Sequence, residues 1–235
     1  MSFFAIVIHK DPLDVLVLTD GVLVDFTGGC PKRCPGRYSK LIPIPNSDPG
    51  IIVSTGLYQL HEAVAETVRQ RGDSFQGIKE TMQTIVGIVA ETLSSYSCED
   101  WTQEWCKAKY VALQYSGTTL RIGLVEANMQ PGRIRIREPL MPEPITGGVI
   151  WWPSGYAPLS GNFACIIQSP YNCPGLAQEF CSMLQHNAGS SLQDCVPALL
   201  KGTKNLLRNS MSRCVRVNDA VFYAIASDGF RVQEY

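Results

Sequence analysis

Short apolar stretches separated by turn residues occupy the beginning of the chain. Val- and Ile-rich stretches cover Phe3–Ile8 and Val15–Leu18, and a polar turn between them predicts a hairpin of two strands. A loop rich in Gly and Pro, Gly28–Gly36, precedes two further predicted strands at Lys40–Ile42 and Gly50–Ser54. Four strands therefore come before any helix, and we expect them to pair in one sheet.

The spacing of apolar residues then changes to a period of about 3.6, which is typical of helices. This period covers Leu57–Val68 and again Phe75–Leu93, so two consecutive helices are predicted to pack on that sheet. The strand pattern returns in five stretches, which we assign to a second sheet. These stretches are Tyr110–Gln114, Leu120–Val125, Arg133–Arg137, Val149–Trp152 and Phe163–Ile167.

A second helix pair and a closing hairpin complete the pattern. Helical spacing covers Leu176–Leu184 and Leu192–Leu207, and Ala220–Val232 reads as a hairpin around a Ser-Asp-Gly turn. The proline-rich stretch Met129–Thr146 is interpreted as a surface excursion. Because each apolar helix pair must cover one sheet face, the order predicts an α+β fold, a four-layer αββα sandwich of two antiparallel sheets between helix pairs.

Composition narrows the choice of compartment and partner. The 235 residues are 45% hydrophobic, which suits one domain spanning residues 1–235. The 20 Lys and Arg are scattered among 21 Asp and Glu, so neither a nucleic acid nor a membrane surface is expected as a partner. No apolar run is long enough to span a bilayer, and no secretory signal opens the chain.

Cysteine usage points to a reducing compartment. The nine cysteines are an odd set in a chain long enough to fold without disulfides, so a cytoplasmic protein is expected. Cys30 and Cys34 have no second pair at the spacing of a zinc site. We therefore expect no metal and no cofactor.

Several short motifs occur in a fixed order along these elements. An aspartate ends the second strand in Leu18–Gly21, a lysine opens the aliphatic stretch Lys40–Ile44, and Ser54–Gly56 forms a turn before the first helix. Ala164–Ser169 and Arg208–Ser212 follow later in the chain. In this order they resemble the proteasome β-subunit-like family of N-terminal-nucleophile hydrolases, and the chain is identified as a divergent bacterial-type or non-standard member, from Ser2 to the last hairpin.

The resemblance implies a catalytic role for the first residue of the mature chain. Removal of Met1 would leave Ser2 as the nucleophile, with its own α-amine, of pKa about 8, as the base. Lys40 would lower the cost of charge on the serine oxygen, and Asp20 would orient Lys40. A backbone N–H near Gly56 would stabilise the oxyanion.

Other positions complete or disturb the family pattern. Ser169 and Ser212 would extend the hydrogen-bond network around the amine, with Asn209 where the family has an aspartate. Arg213 and Cys214 replace a glycine pair. The segment between the aspartate and the lysine is longer than usual, so Lys32 is kept as a fallback for the lysine.

The resemblance implies a peptidase subunit that cleaves unfolded polypeptide or small peptides inside a self-compartmentalising ring. Its partners would be like subunits in a homo-oligomer and an ATP-dependent unfoldase. Two alternatives stay open. The first is a catalytically inactive structural ring subunit, which Asn209 and the Arg213-Cys214 pair favour, and the second is a ligase or acyl-transfer relative that uses the same first residue. The three histidines, His9, His61 and His186, show no Ser-His-Asp order in the sequence.

Overall fold

A computed structural model describes residues 3–25, 32–44, 48–55, 58–71, 84, 107–130, 133–137, 156–157, 162–170, 173, 175–186 and 191–235. These residues include thirteen strands and three helices whose first and last residues are described. The strands are β1 Phe4–Lys10, β2 Leu13–Asp20, β3 Val24–Asp25, β4 Lys32–Arg33, β5 Leu41–Ile44, β6 Gly50–Thr55, β7 Lys107–Tyr115, β8 Leu120–Gln130, β9 Arg133–Arg137, β10 Tyr156–Ala157, β11 Phe163–Gln168, β12 Val221–Ile225 and β13 Gln233–Glu234. The helices are α1 Tyr58–Arg71, α2 Gly175–Gln185 and α3 Leu192–Ser210.

Two antiparallel sheets form the centre of the molecule. Sheet A has the strand order β10-β11-β1-β2-β12-β13, and sheet B has the order β5-β6-β7-β8-β9. The β1–β2 hairpin runs from the Phe4–Thr19 pair to the Lys10–Leu13 pair. A separate two-stranded ribbon, β3-β4, lies in the connection between β2 and β5.

Alternate residues of β1 face opposite layers, which explains its continuous apolar sequence. Phe4, Ile6 and Ile8 pack in a cluster with residues of sheet B such as Ile51 and Val53. The intervening residues of the strand pack instead against α2 and α3, where Phe180 and Leu199 are examples. A strand buried on both faces has no polar side to alternate with.

The predicted α+β fold with two face-packed antiparallel sheets is confirmed. On the outer face of sheet B, α1 contacts β5 and buries Val64 and Val68. The apolar stripe of α3 covers sheet A, and Ser191 caps its first turn by accepting a hydrogen bond from the Asp194 N–H at 3.2 Å. Of the helices within the described residues, none is long and apolar enough to span a membrane.

The predicted assignment of strands to the two sheets is wrong. β5 and β6 do not join β1 and β2; they pair through β6 with β7 in sheet B. β11 does not join β7 and β8; it pairs with β1 in sheet A. The reason is that both sheets are buried on both faces, so periodicity reveals strands but not which sheet they enter.

Other predicted elements differ in extent or lie beyond the described residues. β8 and β9 pair from the Gln130–Arg133 pair to the Glu126–Arg137 pair, so the beginning of the predicted surface excursion belongs to sheet B. The two residues of β4, Lys32 and Arg33, lie within Gly28–Gly36, which the sequence predicts to be a loop. The predicted second helix, Phe75–Leu93, falls outside the described residues apart from Thr84, and the predicted strand Val149–Trp152 falls outside them entirely.

Candidate functional site

The carboxylate of Asp20 is the centre of a buried polar cluster at the end of β2. Its Oδ2 accepts a hydrogen bond from the Phe3 N–H at 2.8 Å, and its Oδ1 accepts one from the Val22 N–H at 3.1 Å. The register of the β1–β2 hairpin explains the contact, because Phe4 pairs with Thr19 and the preceding residue therefore faces Asp20. The Asp20 side chain has no exposed surface.

Lys40 supplies the counter-charge from the other sheet. Its Nζ forms an ion pair with Asp20 Oδ1, and only 13% of its side chain is exposed. Its carbonyl accepts a hydrogen bond from the Ser54 N–H of β6 at 3.1 Å. The backbone of Lys40 is thus held at the edge of sheet B while its side chain reaches sheet A.

The buried position of Lys40 changes its acid–base behaviour. Burial lowers the pKa of the Lys40 ammonium well below its ordinary value, because a charged amine loses its hydration there. The adjacent Asp20 carboxylate acts in the opposite direction by favouring the charged form. Lys40 thus depends on Asp20 to keep its positive charge in this buried position.

A serine–histidine pair adjoins Lys40, and the sequence analysis missed it. Ser54 Oγ lies 2.5 Å from His61 Nδ1 and 3.4 Å from the Lys40 carbonyl oxygen. The two residues belong to β6 and to the beginning of α1, so the strand-to-helix turn brings them together. The sequence predicts a strand followed by a helix here, and a serine and a histidine seven residues apart across that boundary were the available signal.

The surroundings of His61 favour its neutral form. Burial lowers the pKa of the His61 imidazole, and the charges of Lys40 and Arg69 lower it further, while Glu62 raises it. A neutral imidazole carries one nitrogen that accepts a hydrogen bond and one that donates. The Ser54–His61 contact is therefore compatible with proton exchange between the two side chains.

A buried asparagine supports the same region and was also missed. Asn218 Oδ1 accepts a hydrogen bond from the Gly21 N–H at 3.0 Å, directly after Asp20. Asn218 comes from the segment that leads into β12, which pairs with β2. The chain on both sides of the Asp20 carboxylate is thus fixed by buried hydrogen bonds.

The other predicted site residues lie at different distances from this cluster. Ser169 is half-buried and follows β11, whose Gln168 pairs with Phe4, so it lies at the same edge of sheet A as the chain start. Asn209, in the last turn of α3, and Ser212, just after it, are both exposed. Their catalytic roles stay predictions.

Lys32, the fallback for the catalytic lysine, does not take part in the Asp20 cluster. Lys32 is exposed in β4, and it is Lys40 that pairs with Asp20. Its neighbour Arg33 instead donates from Nη2 to the carbonyl oxygens of Met211 at 3.2 Å and Cys214 at 3.0 Å. Ser2 and Gly56 lie outside the described residues.

The two-sheet arrangement is that of the Anbu proteins. A solved structure of Anbu from Hyphomicrobium sp. strain MC1 matches with a TM-score of 0.51 at 13% identity, over 99% of this chain and 86% of that one. Anbu (ancestral beta-subunit) from Yersinia bercovieri matches with a TM-score of 0.53 at 8% identity, over the same shares. A Gly-1 mutant of the Hyphomicrobium protein gives 0.51 at 13% identity. No family model and no curated protein matches the chain.

The assignment to the proteasome β-subunit family made from the sequence motifs is wrong as a statement of membership. The three matching structures named above are Anbu proteins at 8% or 13% identity, and no family model supports the assignment. Identity this low shows a shared fold alone. The motifs misled because a strand-ending aspartate and a turn glycine are ordinary features wherever a strand stops.

Proposed function

We propose that the chain is an amide hydrolase whose nucleophile is the hydroxyl of Ser2, presented as the first residue once Met1 is removed. The observation that carries the proposal is the anchoring of the chain start to the buried Asp20–Lys40 pair. Phe3 N–H donates to Asp20, and Asp20 pairs with Lys40. Since consecutive Cα atoms are about 3.8 Å apart, residue 2 is tied to this pair by a single peptide unit.

The proposed reaction uses the Ser2 amine as the base. The amine takes the hydroxyl proton as the serine oxygen attacks the substrate carbonyl, and it returns that proton to the leaving amine, which yields an acyl-enzyme. Water then attacks the ester and loses a proton to the same amine. As the bond between the acyl carbon and the serine oxygen breaks, the amine gives that proton to the serine oxygen, which releases the acid and restores the free Ser2 hydroxyl. Lys40 stabilises the developing negative charge, and Asp20 keeps the lysine oriented.

The remaining predicted residues have supporting roles in the proposal. Gly56 would offer its N–H to the oxyanion at the turn after β6, and Ser169 would bond the amine from the end of β11. Asn209 and Ser212 would have to approach from the loop after α3. The support for Gly56 and Ser169 is that β6 ends beside Lys40 and β11 ends beside Phe4, so both strands end close to the Asp20–Lys40 pair.

We propose peptides or unfolded polypeptide as the substrate and an oligomer of like subunits as the assembly. The matching Yersinia protein is described as an ancestral beta-subunit, which supports an assembled state for a chain of this fold. A ring of one-domain subunits in the cytoplasm fits the free thiols of the six cysteines among the described residues.

A structural subunit without activity is the second candidate. The exposure of Asn209 and Ser212 favours it, because these residues would need to face residue 2 to complete the network. An intact Asp20–Lys40 pair is then a structural contact between the two sheets. The two candidates differ in what the loss of the Ser2 hydroxyl does.

The deciding experiment compares fluorogenic peptide cleavage by the protein beginning at Ser2 with cleavage by Ser2→Ala. Intact mass spectrometry first verifies the terminus of each. We expect Ser2→Ala to reduce hydrolysis by at least about 100-fold, because the covalent step loses its oxygen. Ser116→Ala, at an exposed turn serine, is the matched control and should keep full activity.

Two results would reject the hydrolase. Equal activity in wild type and Ser2→Ala would remove Ser2 from the mechanism. The structural subunit would be favoured if the wild type, with its terminus verified as Ser2, neither hydrolyses the peptide nor transfers its acyl group to an added amine. Product formation only with an amine acceptor would instead assign acyl transfer.

A further inference from the structure

His61 and Ser54 stand outside the proposed reaction, yet they contact the residue that supplies its positive charge. His61 Nδ1 lies 2.5 Å from Ser54 Oγ, a short hydrogen bond. Ser54 contacts the Lys40 carbonyl oxygen twice, through its N–H at 3.1 Å and its hydroxyl at 3.4 Å. The imidazole is therefore connected to the backbone of Lys40 through one serine.

The contacts continue beyond Lys40 to the chain start. Lys40 Nζ pairs with Asp20, and Asp20 accepts the Phe3 N–H. Helix α1, sheet B and sheet A are thus linked through Lys40, whose carbonyl oxygen contacts Ser54 and whose Nζ contacts Asp20. Ser54 and Asp20 are buried, while His61 and Lys40 are half-buried.

We propose that His61 is a positioning residue for Lys40, acting through Ser54, and that gain of a proton by His61 changes the electrostatic environment of the Lys40 amine. The proposal deepens the proposed function, on which its catalytic consequence rests. Its structural part concerns only the described residues and is tested without any substrate.

The sign of the coupling follows from the charges around the imidazole. Lys40 and Arg69 both disfavour the protonated ring, Glu62 favours it, and Asp20 faces Lys40 from β2. Because the interaction between two like charges is mutual, a protonated His61 must disfavour the Lys40 ammonium in turn. The protonated imidazole carries a proton on both ring nitrogens, so at Nδ1 it can only donate to the Ser54 oxygen, and the Ser54 hydroxyl proton is left for the Lys40 carbonyl oxygen.

Ser54 as a nucleophile is the competing interpretation of the same contact. A serine hydroxyl within hydrogen-bond distance of a neutral imidazole is the arrangement of an activated nucleophile. Ser54, however, is only 3% exposed, and its hydroxyl lies between the imidazole and a backbone carbonyl. Positioning is thus the role that its surroundings favour.

The test follows the Lys40 Cε and His61 Cε1 resonances by NMR as the pH changes. The full chain is labelled with ¹³C in lysine and histidine, and Lys40→Arg and His61→Gln provide the assignments. In the wild type we expect the Lys40 resonance to shift in a step at the pH where His61 titrates. In His61→Gln, which keeps a hydrogen-bonding side chain without a titrating charge, the step should be absent.

His186→Gln is the matched control, because His186 is an exposed histidine whose Nδ1 lies 2.6 Å from the Ser182 carbonyl in α2. This variant should keep the step. Absence of the step in the wild type, or its persistence in His61→Gln, would overturn the coupling. Neither result depends on hydrolysis, so a step in an inactive protein would uphold the coupling while the proposed hydrolase fails.

Where hydrolysis is present, Ser54 variants test the positioning role. Ser54→Ala should lower kcat several-fold at unchanged KM, and Ser54→Thr, which restores the hydroxyl, should recover part of it. Loss of all hydrolysis in Ser54→Ala together with full activity in Ser2→Ala would make Ser54 the nucleophile and reject positioning.

Discussion

Phe3 and Asp20 hold each other through two hydrogen bonds. The Phe3 N–H donates to Asp20 Oδ2 at 2.8 Å, and the Asp20 N–H donates to the Phe3 carbonyl oxygen at 3.3 Å. Asp20 uses its side chain in the first bond and its backbone in the second. The contact between the two strands therefore continues one residue beyond the Phe4–Thr19 pair. Any change to Asp20 therefore affects the start of β1 as well as Lys40.

Asp20→Asn should destabilise the protein by about 3 kcal/mol, because it leaves the largely buried Lys40 amine without its counter-charge. Urea denaturation would measure the change in the free energy of unfolding. The double variant Asp20→Asn/Lys40→Met should cost less than the sum of the two single changes. Additive costs would show that the two charges do not stabilise each other.

The free energy of unfolding should decrease as the pH is lowered through the titration of His61. Because burial lowers the pKa of His61 in the folded state, the unfolded chain takes up the proton first as the pH falls below about 6.5. This contribution to the free energy of unfolding is thus intact above that pH and is lost below it. His61→Gln should flatten the decline in urea denaturation measured at several pH values, whereas an unchanged slope would contradict the prediction.

Cys181 should be the most reactive of the half-buried thiols in the helix layer over sheet A. A hydrogen bond from Cys165 lowers the pKa of Cys181 to about 7, while burial raises the pKa of Cys173 to about 12. At neutral pH, iodoacetamide should label Cys181 more than about 10-fold faster than Cys173. Peptide mapping by mass spectrometry measures both rates in one sample.

The variant Cys165→Ala supplies the control for that measurement. It removes the hydrogen-bond donor and leaves Cys181 in place, so labelling of Cys181 should slow toward that of an ordinary thiol. An unchanged rate in Cys165→Ala would show that the neighbouring thiol does not activate Cys181.

Gly21→Ala should destabilise the end of β2. A Cβ at position 21 would lie 2.7 Å from Phe222 Cε2 and 2.8 Å from Ala220 Cβ, closer than side chains pack. The overlap should cost about 1–3 kcal/mol and displace β12 from β2. Gly175→Ala, at the start of α2 with no close neighbour, should stay within about 0.5 kcal/mol in thermal unfolding. Equal behaviour of the two variants would contradict the steric argument.

The sequence predicted the positions of the strands and helices better than it predicted which strands pair with each other. The change from strand to helix spacing at Gly56 is local, and α1 begins at Tyr58 as that change requires. Pairing of β6 with β7 and of β11 with β1 depends on contacts between distant parts of the chain, which periodicity does not contain. The division into one domain stays a prediction.

The candidate site shows the same limit. The pairing of Asp20 with Lys40 was expected from motif order, although two different sheets supply the residues. The Ser54–His61 contact was missed because it joins a predicted strand to a predicted helix, and no Ser-His-Asp order marks it in the sequence. Asn218 carries no local signal, since its hydrogen bond joins positions 197 residues apart.

The position of β12 determines how the polar cluster is enclosed during folding. β12, residues Val221–Ile225, pairs with the edge of β2 that β1 leaves open, and it follows Asn218 in the chain. The edge of β2 at Asp20 is therefore closed only by a pairing between strands that lie far apart in the sequence. Because such pairings carry a larger loop-closure cost than local ones, we expect the carboxylate to be enclosed later in folding than the local β1–β2 hairpin forms.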